Sequence, residues 1–222
     1  MAGEQESNVA VNLLIFHSII TRGLWVSIEH ARGFSQRGFE AESSKEGFIN
    51  YIRALTSVVN AHHITEDEIA FPYFRDKLPD APFDALIEDH QVMVRILNEI
   101  KLEIEKCENS DQLETGLRNL ENALTRLNEQ WHPHIQVEVD EVLSKADALI
   151  PVDEQLRLVR LFGEHGQKYA VPPYLTVPFM LYNLSGEDRK VFSQGMPPEV
   201  LHNLVPIVWK EKWESMTPFF LA

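Results

Sequence analysis

Residues 62–74 read HHITEDEIAFPYF, and within them His62 and Glu66 stand four apart. Both fall on a stripe that begins well upstream: Phe48, Ile52, Leu55, Val59, His62, Glu66, Ile69 and Tyr73. Its spacings alternate four and three, which traces one face of a helix. A helix over about residues 45–77 therefore turns an imidazole and a carboxylate toward its own core, about 5–6 Å apart at Cβ. A carboxylate left ionised and alone in an apolar core is prohibitively costly. This stretch needs a partner that its own helix does not supply. Ser43 or Ser44 offers an N-cap, and Pro72 predicts a kink or an end.

Three further stripes flank this one. Leu13, His17, Ile20, Leu24 and Ile28 define a helix over about residues 8–32, with Gly33 and Gly38 marking the loop after it. Leu86, His90, Met93, Leu97, Ile100 and Ile104 define one over about 83–107, entered through a turn at Pro79 and Pro82. Leu113, Leu117, Leu120, Leu124, Leu127, Trp131, His134 and Glu138 define one over about 110–148, with Ser110 as N-cap and Pro133 predicting a kink just before His134. Short connections between long amphipathic helices make neighbours antiparallel. The fold class expected is all-α: an up-down-up-down four-helix bundle over residues 9–148, followed by a C-terminal helical, proline-rich extension over 149–222.

Every stripe carries a histidine, and two carry a glutamate four residues later, as His62/Glu66 and His134/Glu138. Late in the second helix and early in the third share a level in an antiparallel bundle, and the fourth helix ends at that same level. His17, mid-way along the first helix, completes the set; His30 is off the stripe. Metal coordination would satisfy the carboxylates and hold neutral imidazoles. Six ligands, His17, His62, Glu66, His90, His134 and Glu138, suit two metals about 3.5–4 Å apart bridged by carboxylates. Mixed imidazole and carboxylate donors favour iron, with manganese or zinc possible. His63 and Asp67 form a second pair one residue off the stripe, able to replace or supplement His62 and Glu66. Trp131 and Tyr73, on core stripes near the ligands, are candidates to shape a ligand pocket. His132 reads as a surface or supporting residue, and His30, His165 and His202 as structural or exposed.

The segments FHSIITRGL with His17, HHITEDEIAFPYF, DHQVMV with His90, and HPHIQVEVDEV with His134 and Glu138 together resemble the hemerythrin-like family of His-His-Glu cation-binding domains, over roughly residues 9–148. The resemblance implies a non-haem di-iron centre in a four-helix bundle. Its implied partners are small: oxygen, nitric oxide, peroxide or iron itself, for sensing, storage or detoxification. One departure stands out. Oxygen-carrying members show HxxxH on the third helix, whereas here Val94 follows His90 by four. The missing imidazole would open a coordination position, and it motivates an alternative reading as a redox enzyme that decomposes hydrogen peroxide.

The rest of the chain sets limits. With 34 acidic against 20 basic residues the net charge is −14, which repels nucleic acid and anionic membranes. The single cysteine, Cys107, allows no internal disulfide. Residues 1–8 lack the basic start and apolar run of a secretion signal, and no run approaches the roughly 18 consecutive apolar residues of a membrane helix. A cytoplasmic protein is expected. Eight of the 12 prolines lie from Pro151 onward. The tail, ending VWKEKWESMTPFFLA, is too apolar to be disordered. It is expected to pack on the bundle or to meet a protein partner or a second copy, and, in a sensor, its deletion from 150 to 222 is expected to leave the metal site intact while abolishing an interaction.

Overall fold

The structure is a computed structural model that describes residues 8–221. Most of the N-terminal segment read above for a secretion signal, residues 1–7, lies outside the described residues. Among the described residues there are helices and no strands. The four long helices are α1 (Val9–Arg37), α2 (Glu42–Thr65), α4 (Phe83–Glu108) and α5 (Leu113–Glu138). They close a ring in which α1 packs on α2, α2 on α4, α4 on α5 and α5 on α1. Each is held by its own apolar face, and α1 also by Asn8, whose side chain accepts from the Val11 N–H at 2.7 Å.

Element boundaries depart from expectation in instructive ways. α1 runs through Gly33 and ends at Gly38, which sits at φ 73°. A helical glycine costs only about 1 kcal/mol. Here Phe34 is anchored against Phe39, Phe48 and Phe219. Ser43 and Ser44 fall inside the first turn of α2 rather than capping it. Ser110 opens a short 3-10 turn, capped by Asn109. The second helix does not end at Pro72. It widens into a π-helical turn, Glu66–Ala70, and continues as α3 (Phe71–Arg75). Pro72 lies in the first turn of α3, where its missing N–H costs little. A second π-turn, Val139–Leu143, joins α5 to α6 (Ser144–Leu149). Pro133 stays within α5.

By length and composition α1 could cross a membrane, which corrects the reading that no stretch qualifies. More than half of its apolar window is buried within the bundle, as befits a core helix.

The extension comprises α7 (Val152–Gly166), α8 (Pro173–Tyr182), α9 (Gly186–Ser193), a π-helical segment Val200–Val208, α10 (Lys210–Trp213) and a 3-10 segment Glu214–Phe219. It lies on α1 and α2. Phe179 of α8 is fully buried. Its ring lies where a Cβ on Gly23 would sit, 2.7 Å away. The carbonyl of Ser215 approaches Gly47 so closely that a Cβ there would lie 1.9 Å from it. Buried polar ties reinforce the layer: Tyr51 Oη donates to Asn183 at 2.7 Å, and Gln155 accepts from the Val9 N–H at 2.9 Å. Removing residues 150–222 would uncover this part of the core, so survival of the metal site after that deletion does not follow from the packing.

Apolar side chains form two clusters. The larger takes in Ile20, Val59, Met93 and Trp131; the smaller takes in Leu13, Ala70, Phe71, Leu86 and Val142. Along every helix the candidate ligands fall between a member of one cluster and a member of the other.

Candidate metal centre

All six residues expected from the sequence are buried at this seam, each at most 5% exposed, and His63 joins them at 1%. They sort into two groups whose ligating atoms lie within 4.8 Å of one another: His17, His62, Glu66 and Glu138, and His63, His90 and His134. The two glutamates link the groups. Glu66 places Oε1 at 3.2 Å from His62 Nε2 and Oε2 at 3.5 Å from His90 Nε2. Glu138 Oε2 lies 3.1 Å from His17 Nε2 and 3.7 Å from His134 Nε2. Each carboxylate thus faces imidazoles of both groups. The backbone contributes to this: Glu66 opens the first π-turn and Glu138 immediately precedes the second. Wide turns of this kind recur at functional sites.

The donor set fits a metal. His90 Nε2 and His134 Nε2 face each other at 3.0 Å. Asp67 accepts from His90 Nδ1 at 2.7 Å, which leaves Nε2 with a lone pair for ligation. Asp89 Oδ2 lies 3.5 Å from His134 Nδ1. Both ring nitrogens of His17 and of His63, Nε2 of His62, both oxygens of Glu66 and Oε2 of Glu138 are buried without a hydrogen-bond partner. Protein interiors do not leave so many polar atoms unsatisfied at one place. A cation with open coordination positions satisfies them together.

Electrostatics agree. Burial pushes the His62 and His63 imidazoles well below their usual range, helped by the neighbouring imidazoles, and burial lowers His134 as well. All three are held neutral, the form that ligates. Burial and the facing Glu138 push Glu66 well above the usual carboxylate range. Burial also acts to raise Glu138, but His17 and the other imidazoles outweigh it and hold the group down to about 2. Two carboxyls in one dry site cannot both be charged cheaply without a cation.

Aromatic rings wall the centre. Trp131 lies 5.6 Å from His17 and 5.7 Å from His62, ring to ring, and donates its Nε1–H to Thr21. Phe71 stacks on His90 at 5.5 Å. Trp131 thus takes the place expected of it, and Tyr73 does not: it packs beside Phe74 and under Lys77. The physical reason is the π-turn, whose extra residue rotates everything beyond it by about 100°. Ala70 and Phe74 are buried where the stripe put Ile69 and Tyr73. His132 and His202 are exposed, and His30 packs against Phe219.

A search by protein family agrees with this geometry: the profile of the hemerythrin HHE cation binding domain matches residues 28–146. The chain belongs to the hemerythrin family. Neither a curated protein nor a solved structure matches it. The hemerythrin match begins after His17 and ends before the extension, so one member of the first group lies outside it and is placed by α1 alone. The hemerythrin domain implies binding of a small ligand at a metal site. His63 is the residue that spacing left to one side. Its signal was the doubled histidine of HHITEDE, and its i+4 neighbour Asp67 turns instead to His90.

Proposed function

We propose that this chain holds two iron ions, one among His17, His62, Glu66 and Glu138 and the other among His63, His90 and His134, and that it binds oxygen, nitric oxide or peroxide there. The observation that carries the reading is the position of Glu66, whose two oxygens face imidazoles of different groups at 3.2 and 3.5 Å. When bound, iron supplies one-electron redox chemistry and open coordination positions. The protein supplies the rest. Imidazoles held neutral by burial present their lone pairs. Trp131 and Phe71 exclude water from the buried faces. Asp67 fixes the tautomer of His90. Manganese and zinc accept the same donors, so the metal must be counted and identified.

The test is elemental analysis of purified protein. About two iron atoms per chain support the proposal, as the two ligand groups require. One atom, or zinc or manganese in iron's place, sinks the di-iron reading and leaves the fold. A second reading, decomposition of hydrogen peroxide, is favoured by Asp67. Its side chain is 33% exposed and hydrogen-bonded to the buried His90, so it sets a solvent-accessible proton acceptor at the edge of the centre. His63 counts against the original motive for that reading, because it brings in the imidazole that Val94 lacks. Peroxide turnover no faster than that of free iron removes it.

A further inference from the structure

A groove of about 970 Å³ runs along the outer seam between α1 and α5. It far exceeds what a diatomic molecule needs, and small organic ligands occupy pockets of about 300–1,000 Å³. Its walls are apolar, from Leu14, Trp25 and Ile28 on α1 to Ile135 on α5 and Val139 just beyond it. Leu14 is 42% and Trp25 63% exposed, a large apolar surface to leave uncovered.

The charges in the groove run against those of the chain. The protein carries −14 overall, yet among the described residues no carboxylate lines the groove, while Arg22 and Arg32 do. Arg32 is already neutralised by Glu29 at 3.2 Å and Glu121 at 3.0 Å. Arg22 is not. It is half-buried, its guanidinium donates to the Phe219 carbonyl at 3.3 Å, and among the described residues no carboxylate reaches it. A partly desolvated guanidinium without an anion is a binding element.

We infer that this groove binds an amphipathic organic anion of the medium-chain carboxylate class. The carboxylate pairs with Arg22, and the apolar body runs along α1 toward Leu14, a distance of about 12 Å. On that course it crosses His17, which also lines the groove. The bound chain therefore lies against His17, a member of the first ligand group, with that one imidazole ring between it and the centre. The site does not depend on which metal the centre holds.

Decanoate is the probe, titrated into the full-length protein and followed by calorimetry. The expected result is saturable binding of one molecule per chain, with decanol, equal in length but uncharged, at least about tenfold weaker. Arg22→Gln should weaken decanoate by about tenfold or more and leave decanol unchanged, while Arg22→Lys retains most of the affinity. Should the glutamine variant fail to fold, Ile135→Glu, which sets a carboxylate on the opposite wall, reads the same charge effect. Absence of saturable binding below about 1 mM overturns the proposal, as does equal affinity for decanol. A stable dimer whose formation blocks decanoate would assign the groove to a second copy and overturn it too.

Discussion

At the scale of single residues, His63 decides how the second group is completed. It stands one position, about 100°, away from the candidate ligand His62, and still lies in the centre because its ring stacks on His90 at 4.1 Å. The site is a volume between four helices, not a line along one, so a neighbour of the stripe can reach it from the side. His63→Leu is expected to leave the fold and the first group in place and to reduce bound metal from about two atoms per chain to about one, as judged by metal analysis after loading. Full stoichiometry at undiminished affinity would show that His63 is packing and not a ligand. His17, His62, Glu66, His90, His134 and Glu138 were legible because an apolar stripe makes a buried polar residue conspicuous. Asp67 was legible only as a partner of His63 and not as the support of His90, and Asp89 was not assignable, since both lie half-exposed among many acidic residues.

At the scale of elements, the helices were readable and the π-turns were not. A repeat of three and four carries no mark of an extra residue until the far side fails to match. Phe74→Ala should therefore cost about 3–5 kcal/mol in denaturant unfolding, while Tyr73→Ala should cost much less. The reverse order would restore an uninterrupted helix through Glu66–Ala70. The close approach at Gly47 makes a second prediction. Gly47→Ala sets a methyl into the Ser215 carbonyl, and neither backbone can yield without moving the C-terminal segment. The variant should lose about 1–3 kcal/mol of stability and gain protease cleavage within residues 210–221. Unaltered stability and cleavage would mean that the C-terminal segment does not rest on α2.

At the scale of the whole molecule, the metal-free protein carries its own pH dependence. His62, His63 and His134 have folded values depressed below about 6.5, so the stability they allow is present above that pH and is lost as pH falls. Glu66, raised in the fold, acts in the opposite sense and regains stability as pH falls. The lowered imidazoles, His30 among them, outnumber the one raised carboxyl, so the metal-free protein should lose stability as pH falls below about 6. Thermal melts between pH 7.5 and 5.5 test this, and a flat profile would contradict the burial of these imidazoles. Iron should raise the melting temperature at pH 7.5 and lose that benefit on acidification, because protons compete for the same nitrogens. The extension was legible as a folded appendage from its aromatic content. Its depth of engagement was not, because insertion of Phe179 over Gly23 joins residues 156 positions apart, beyond the reach of any local pattern.

The two π-turns make chain length, rather than residue identity, the sensitive quantity beside each glutamate. A helix there serves two masters in sequence: one face meets the metal ligands, and after the wide turn a face offset from it fills the apolar end of the bundle. Substitutions within 68–70 or 139–143, clear of Glu66 and Asp67, can preserve that phase. Loss of a single residue from either stretch cannot. The chain would then have to choose between aiming its glutamate and seating Phe74 or Ala146, so natural variation at these places should tolerate changes of letter and resist changes of count.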